Sequence, residues 1–324
     1  MEAQAATWRP TSRRWRRALE SRRFLAPALI APAVLFMALV VGVPFVWAIY
    51  LSLTDAIGGS LSGDWVGFDN FTAAWSDDNF RRALRNTLVF TLASQAIVVV
   101  GAAVLSNFLV RDFRGKWIVR FLVVLPWAAP VVLSTITWLW IFDSLYSVLN
   151  WTLARLHLDN AIVWALDVTH VEQGAQAPLQ WLGRPNLALL AITLVHAWRI
   201  LPFAVVIFIA GRASIPNEVE DASKIDGATG LKKLWYVDLP LQLPIALVAV
   251  LFGIVFTAGD FAVVYILTQG GPFNSTQVLP TWAFQIGINS GSLGEGAAIS
   301  LFLFPLLVLV SVAMLFFARR AQVT

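Results

Sequence analysis

His196, Arg199 and Asp260 are ionisable side chains set in stretches of the chain that are otherwise almost wholly apolar. An ionisable group in the middle of a bilayer costs about 2.5–3.5 kcal/mol on insertion scales, so each needs a partner or a cavity. His196 and Arg199 stand three residues apart and share a helix face. Two chemistries are open to this set. Arg199 can pair with Asp260 and lock two helices, or snorkel to an interface. Alternatively the groups can hydrogen-bond a polar substrate, with Trp198, Thr257, Tyr265 and Gln285 adding hydroxyl, amide and aromatic contacts. Acid–base and metal chemistry have no comparable set. The histidines are His157, His170 and His196, there is no His-Glu-x-x-His pattern, and cysteine is absent. No metal site is expected.

The elements that carry these residues follow from composition. Of 324 residues, 58% are hydrophobic and 13% charged, and the mean hydropathy is +0.73. Soluble domains run about 45–50% apolar and about 25% charged. Intrinsic disorder and a disulfide-stapled module are excluded, and an all-α polytopic membrane protein is expected. A spanning helix needs roughly 20 apolar residues. Six stretches qualify: 24–53, 86–110, 121–142, 187–211, 243–269 and 297–318. Alternating ten-residue segments of a membrane β-barrel are lacking.

The few charges set an orientation. Arg9, Arg13, Arg14, Arg16, Arg17, Arg22 and Arg23 crowd a basic arm, 1–23. Arg111, Arg114, Lys116 and Arg120 follow span two; Arg212, Lys224, Lys232 and Lys233 follow span four; Arg319 and Arg320 follow span six. With six spans these segments share one side, so both termini, including the tail 321–324, are expected in the cytoplasm. The pI near 9.8 then reflects topology and anionic lipid rather than nucleic acid. The first apolar run is about twice the length of a signal-peptide core, so cleavage is not expected.

On the other side, Phe68, Phe71, Trp75 and Phe80 are spaced to dock a short helix on the membrane surface. The long outer loop 143–186 suggests an interfacial helix at 145–156. Pro126, Pro130, Pro202 and Pro305 interrupt spans, and Pro126 with Pro130 is the expected hinge. The inner loop 212–242 is patterned. Asn217 is a reasonable N-cap, and Glu218, Glu220 and Asp221 suit a helix N-terminus. Val219, Ala222, Ile225 and Ala228 form a narrow apolar stripe, and Gly227 would end the helix. A second short helix is expected around Leu231, Leu234 and Trp235. A polar helix of this kind is hard to bury against lipid, so it is expected to dock on a cytoplasmic protein.

At this loop the chain resembles the permease subunits of binding-protein-dependent ATP-binding-cassette importers. Their signature reads Glu-Ala-Ala, three residues, Gly, nine residues, Ile, one residue, Leu-Pro. Here it becomes Asp221-Ala222-Ser223, Gly227, Val237 and Leu239-Pro240 with both spacings kept. Trp198-Arg199-Ile200-Leu201-Pro202-Phe203, Ala210-Gly211, Ile215-Pro216 and Leu267-Thr268-Gln269-Gly270-Gly271-Pro272 are similar to segments of the maltose and glycerol-phosphate permease type. Val66-Gly67-Phe68-Asp69-Asn70-Phe71 and Asn86-Thr87 fit it as well. Arg212 departs from a usual leucine, Ala262 from a frequent aspartate, and 159–178 is extra length in the outer loop.

The resemblance implies six spans, with Glu218, Glu220, Asp221, Ala222, Ser223, Ile225, Asp226, Gly227, Leu239 and Pro240 in an ATPase-coupling loop. It implies a bacterial inner-membrane subunit forming half a pore beside a second, homologous permease. Two ATPase subunits and an external solute-binding protein complete the machine. The chain lacks the Gly-x-x-x-x-Gly-Lys-Ser/Thr phosphate loop, so it is not itself an enzyme, and ATP and Mg belong to the partner subunits. No cofactor is expected on this chain. The implied substrate is a disaccharide or oligosaccharide, with glycerol-phosphate or a polyol as the alternative. An ion-coupled secondary transporter is disfavoured, since no internal repeat is evident.

Overall fold

The computed structural model describes residues 22–60, 62–158, 179–228 and 230–321. The basic arm up to residue 21, the extra outer stretch 159–178 and the end of the tail, 322–324, lie outside the described residues. Among the described residues helices are the regular elements, joined by turns and loops, apart from one isolated bridge between Thr54 and Trp65.

The first span joins α1 (Arg22–Met37), a π turn (Ala38–Gly42) and α2 (Val43–Ser52). After the short outer helix α3 (Asp69–Ser76), α4 (Asp78–Val110) forms the second span and starts well before residue 86. Asp77 sets that start, because its carboxylate accepts the Asn79 N–H at 2.9 Å. Where a single span 121–142 was expected, α5 (Lys116–Ala128) and α6 (Val131–Ile141) meet at 101°. The cause is local: Pro130 pushes Ala129 out of the helical region, to φ −71° and ψ 141°. Ser147 then caps α7 (Val148–Arg155), its hydroxyl accepting the Asn150 N–H at 3.1 Å. The fourth span, α8 (Pro185–Ala213), runs unbroken past Pro202.

Inside the loop, α9 (Asn217–Ile225) has Pro216, not Asn217, at its cap position. The expected second short helix is present as a single turn but is continuous with the fifth span. α10 (Gly230–Lys233), a π turn (Leu234–Asp238) and α11 (Leu239–Ala258) follow one another directly, so Trp235 already belongs to the fifth span. That span was expected to reach residue 269, but it stops at Ala258 and resumes as α12 (Ala262–Thr268). The Asp260 carboxylate takes the Val263 N–H at 2.9 Å, which starts a new helix rather than continuing the old one. α13 (Leu279–Phe284), extended by a π turn (Gln285–Asn289), is too short to have registered as a span. α14 (Leu293–Leu301) and α15 (Leu303–Ala321) make the sixth. By length and composition, five helices among the described residues can cross a membrane, or six when the bent pair counts as one.

α8 sits at the centre. Apart from His196, Arg199 and Arg212 its apolar residues are spread over every face, as suits a helix surrounded by others, and its buried positions run from Leu187 to Gly211. The face of α4 opposite it repeats every three or four residues, through Phe90, Thr91, Ser94, Gln95, Val98, Ala102 and Leu109. One apolar cluster joins Phe90, Phe142, Ile192, Val195, Val263 and Leu267, and a second joins Val98, Ala102, Leu109, Ile200, Phe208 and Ala249. α1, α2 and α15 leave most of their apolar surface exposed, the face a lipid chain covers. The outer aromatics do not simply rest on a membrane surface. Phe71, Trp75 and Phe80 ring Phe302 at 5.7, 6.2 and 4.7 Å and tie α3 to the sixth span.

Lipid offers no hydrophobic force between helices, so close backbone approach carries the packing. The π turn after α13 meets α14 at Gly287 and Gly296, where a Cβ on Gly287 would lie 3.3 Å from the Gly296 Cα. A Cβ on Gly296 would collide with Gly287 backbone. Gly296→Val is therefore expected to lower stability by about 1–3 kcal/mol. Thermal denaturation in detergent checks this, and an unchanged midpoint would contradict the packing described.

Candidate functional site

The ionisable set of the spans is assembled by three helices and the break after α11. α8 supplies His196 and Arg199, α11 supplies Thr257, α4 supplies Gln95, and Asp260 follows the end of α11. Arg199 Nη2 donates to Asp260 Oδ2 at 2.5 Å, and His196 Nδ1 lies 3.3 Å from the same oxygen. On the other side of the ring, His196 Nε2 is 3.0 Å from Thr257 Oγ1. The Thr257 hydroxyl donates to the Gly253 carbonyl at 2.6 Å and accepts from Gln95 Nε2 at 3.0 Å. Phe90 lies against the imidazole with ring centroids 5.0 Å apart. His196 is fully buried, Thr257 and Asp260 nearly so, and Arg199 is partly exposed.

This network joins α4, α8 and α11 within one chain. Gln95 was not among the residues singled out from sequence. Its signal was available in the run Thr87, Thr91, Ser94, Gln95, a polar stripe at helical spacing inside an apolar span. The Gln95 Oε1 and Arg199 Nε atoms are buried with no protein partner among the described residues.

The other candidates lie elsewhere. Trp198 meets Trp138 of α6 edge-on at 5.4 Å. Tyr265 stacks on Phe261 at 4.8 Å and meets Phe284 at 5.3 Å. Gln285 accepts from Asn289 at 2.8 Å in the π turn after α13. None of the three bonds to the His196–Asp260 group, so the seven residues form one compact cluster and three outliers.

The inner loop has its own geometry. α9 ends in a Schellman turn: the Ala228 N–H reaches the Ser223 carbonyl at 2.9 Å, and the Gly227 N–H reaches Lys224 at 3.1 Å. Gly227 takes φ +71°, a conformation that costs other L-residues energy. Ser223 and Ala228 turn inward, whereas Ile225 is 87% exposed, with Ala222 and Asp226 exposed beside it. The hydrogen bond and charge of Lys224, 2.8 Å away, hold the Asp221 carboxyl below the usual carboxylate range. Glu218 is exposed and Glu220 falls on the same helix. Leu239 and Pro240 open α11, where proline fits a first helical turn. Trp235 and Tyr236 are also largely exposed.

The family model of the binding-protein-dependent transport system inner membrane component matches residues 98–323, more than half of the chain. This chain belongs to that family. It is a multi-pass inner-membrane permease subunit of an ATP-binding-cassette importer. It is 29% identical to the sulfoquinovosyl glycerol transport system permease protein SmoG of Agrobacterium fabrum, over 92% of each chain. It is 30% identical to a probable ABC transporter permease protein of Brucella suis, over 93% of this chain and 98% of that one. It is 26% identical to the trehalose/maltose permease protein MalF of Thermococcus litoralis, over 86% and 88%. A bacterial ABC transporter involved in import of the acidic polysaccharide alginate shares the fold. The TM-score is 0.75 at 17% identity, covering 95% of this chain and 99% of that one.

Two features acquire a setting in this permease. The 101° bend beside Pro126 and Pro130 lies within the matched region, as does the whole loop from Arg212 to Gln242. Arg212, where the family usually has leucine, is largely buried and paired with Asp238.

Proposed function

We propose that this permease forms half of the translocation pore of an ATP-driven importer for a carbohydrate, paired with a second, homologous permease. Two ATPase subunits bind ATP and Mg and dock on the loop helix α9. An external solute-binding protein delivers the sugar, and both termini of this chain lie in the cytoplasm. The observation that carries the reading is α9 itself. A short acidic helix keeps the family spacing, ends in a Schellman turn at Gly227, and presents Ile225 outward at 87% exposure. An apolar side chain so exposed on a polar helix fits a partner groove. The contact passes closure of the ATPase pair to α8 and α11, which flank the loop.

Relatives named for sulfoquinovosyl glycerol and trehalose/maltose support a sugar, and a 26% identical glycerol-phosphate permease supports the alternative. For the buried cluster, the burial of His196, Thr257 and Asp260 supports a helix lock. The partly exposed Trp198, Arg199, Tyr265 and Gln285 are the members a sugar can reach. The 101° break at Pro130, with Pro126 one turn before it, is offered as the bending point between inward- and outward-facing states. Pro202 lies inside α8, which stays continuous there.

The test is reconstitution with the partner subunits and measurement of uptake of radiolabelled trehalose, maltose and glycerol-3-phosphate. Uptake of one of the disaccharides, lost when the ATPase site is mutated, is the expected result. Uptake driven by an ion gradient without ATP would overturn the proposal.

A further inference from the structure

The end of α8 and the beginning of the fifth span are joined by a buried polar contact that the transport reading does not use. Arg212 occupies the last turn of α8, where a cation suits the helix dipole. Asp238 closes the π turn before α11. Arg212 Nη1 donates to Asp238 Oδ2 at 2.7 Å, with the two side chains only 12% and 3% exposed. The same nitrogen donates to Asn107 Oδ1 of α4. The Asn107 amide is oriented by its own bond, Nδ2 to the Ala103 carbonyl at 2.8 Å. Lys233 Nζ adds a fourth group, 4.0 Å from the other Asp238 oxygen. Everything between Arg212 and Asp238, including α9, is therefore a loop whose two ends are fastened to each other and to α4.

We propose that Arg212, Asp238 and Asn107 form a clasp that makes the inner loop move as one body with α4, α8 and α11. Arg212 and Asp238 are positioning residues, acting through α9 rather than on substrate. A loop hinged at two independent ends would absorb a push on α9 by flexing. With its ends fastened, the same push displaces three spans together, and the helices of the buried His196–Asp260 cluster are those three. The ion pair suits this role better than apolar packing. A buried pair held by directional hydrogen bonds has one favoured geometry, and sliding it leaves a charge unpaired in a low-dielectric site. The transport consequence rests on the proposed docking of an ATPase at α9; the clasp itself does not.

The absence of cysteine allows clean labelling. Asp226→Cys, on the loop, and Arg114→Cys, beyond the end of α4, are both at exposed positions and accept spin labels. In lipid nanodiscs holding the full chain, double electron–electron resonance should give one narrow distance distribution. Arg212→Leu should broaden it or add a second peak. Arg212→Lys, which keeps a cation and a donor facing Asp238, should stay closer to the parent distribution than Arg212→Leu. An unchanged distribution in Arg212→Leu overturns the clasp. If Arg212→Leu is not recovered from membranes, Asn107→Ala takes its place: a broader distribution supports the clasp, and one as narrow as the parent's overturns it.

In the assembled transporter, Arg212→Leu should retain the ATPase subunits on pull-down. Its stimulation of ATP hydrolysis by the solute-binding protein should fall about tenfold, within the usual range of coupling between sites. Failure of the unaltered chain to capture ATPase counts against the docking reading, whereas the spin-label distances judge the clasp independently.

Discussion

Gly227→Trp is expected to leave the permease inserted in the membrane and to abolish uptake. Two observations separate those outcomes. A Cβ added at Gly227 meets nothing within 4 Å, so the fold has room for a side chain. The positive φ costs a residue with a Cβ roughly 1–2 kcal/mol, which frays the end of α9 but does not touch the spans. A Trp there would project into open space beside Ile225, on the surface offered to the ATPase. Immunoblotting of membranes should show normal amounts, pull-down should show lost ATPase capture, and uptake should fall to background. Gly227→Asn supplies the control, because asparagine tolerates the left-handed region and is small. It should keep a substantial part of the uptake. Normal uptake by Gly227→Trp would remove α9 from the coupling role.

The second large effect concerns the buried cluster. Asp260→Ala should destabilise the chain by about 3–5 kcal/mol, because it strands the Arg199 charge among three helices. It also removes the acceptor that starts α12 at Val263. Thermal denaturation in detergent should show the loss. The combined replacement Arg199→Met with Asp260→Leu then distinguishes lock from substrate contact. Replacing both partners of a buried pair by apolar groups is often neutral. If the pair only locks helices, the double variant regains most stability and uptake together. If Arg199 touches the sugar, stability returns while uptake stays lost. An Asp260→Ala chain as stable as the parent would refute both versions.

Much of this was legible along the chain. Span positions depend on local apolar runs, and the loop helix depends on a local series of caps, charges and a glycine. The Schellman turn at Gly227 is such a local object: all its bonds close within six residues. The broken spans were less legible, although their causes are local too. Pro130 bends the third span through its effect on Ala129, and Asp260 ends α11 by competing for the Val263 N–H. The proline pair marked a bending point in the third span though not its angle, whereas apolar content masks the break at Asp260, because hydropathy rises and falls without regard to backbone direction. α13 escaped notice because a six-residue helix carries too little pattern.

Polar partners were the least legible. Gln95 meets Thr257 across 162 positions, and Arg212 meets Asp238 across 26. A sequence shows that a buried charge must be satisfied, because the membrane imposes that cost on any fold. It thereby determined that this chain spans a membrane, that Arg199 and Asp260 need partners, and that the inner loop carries a helix. Tertiary structure alone decided which partners. Asp260 takes Arg199 and His196, Arg212 takes Asp238 and Asn107, and α4, α8 and α11 are the helices so joined. The physical reason is distance: a hydrogen bond acts over about 3 Å, and only the packed bundle brings residues so far apart in sequence within that reach.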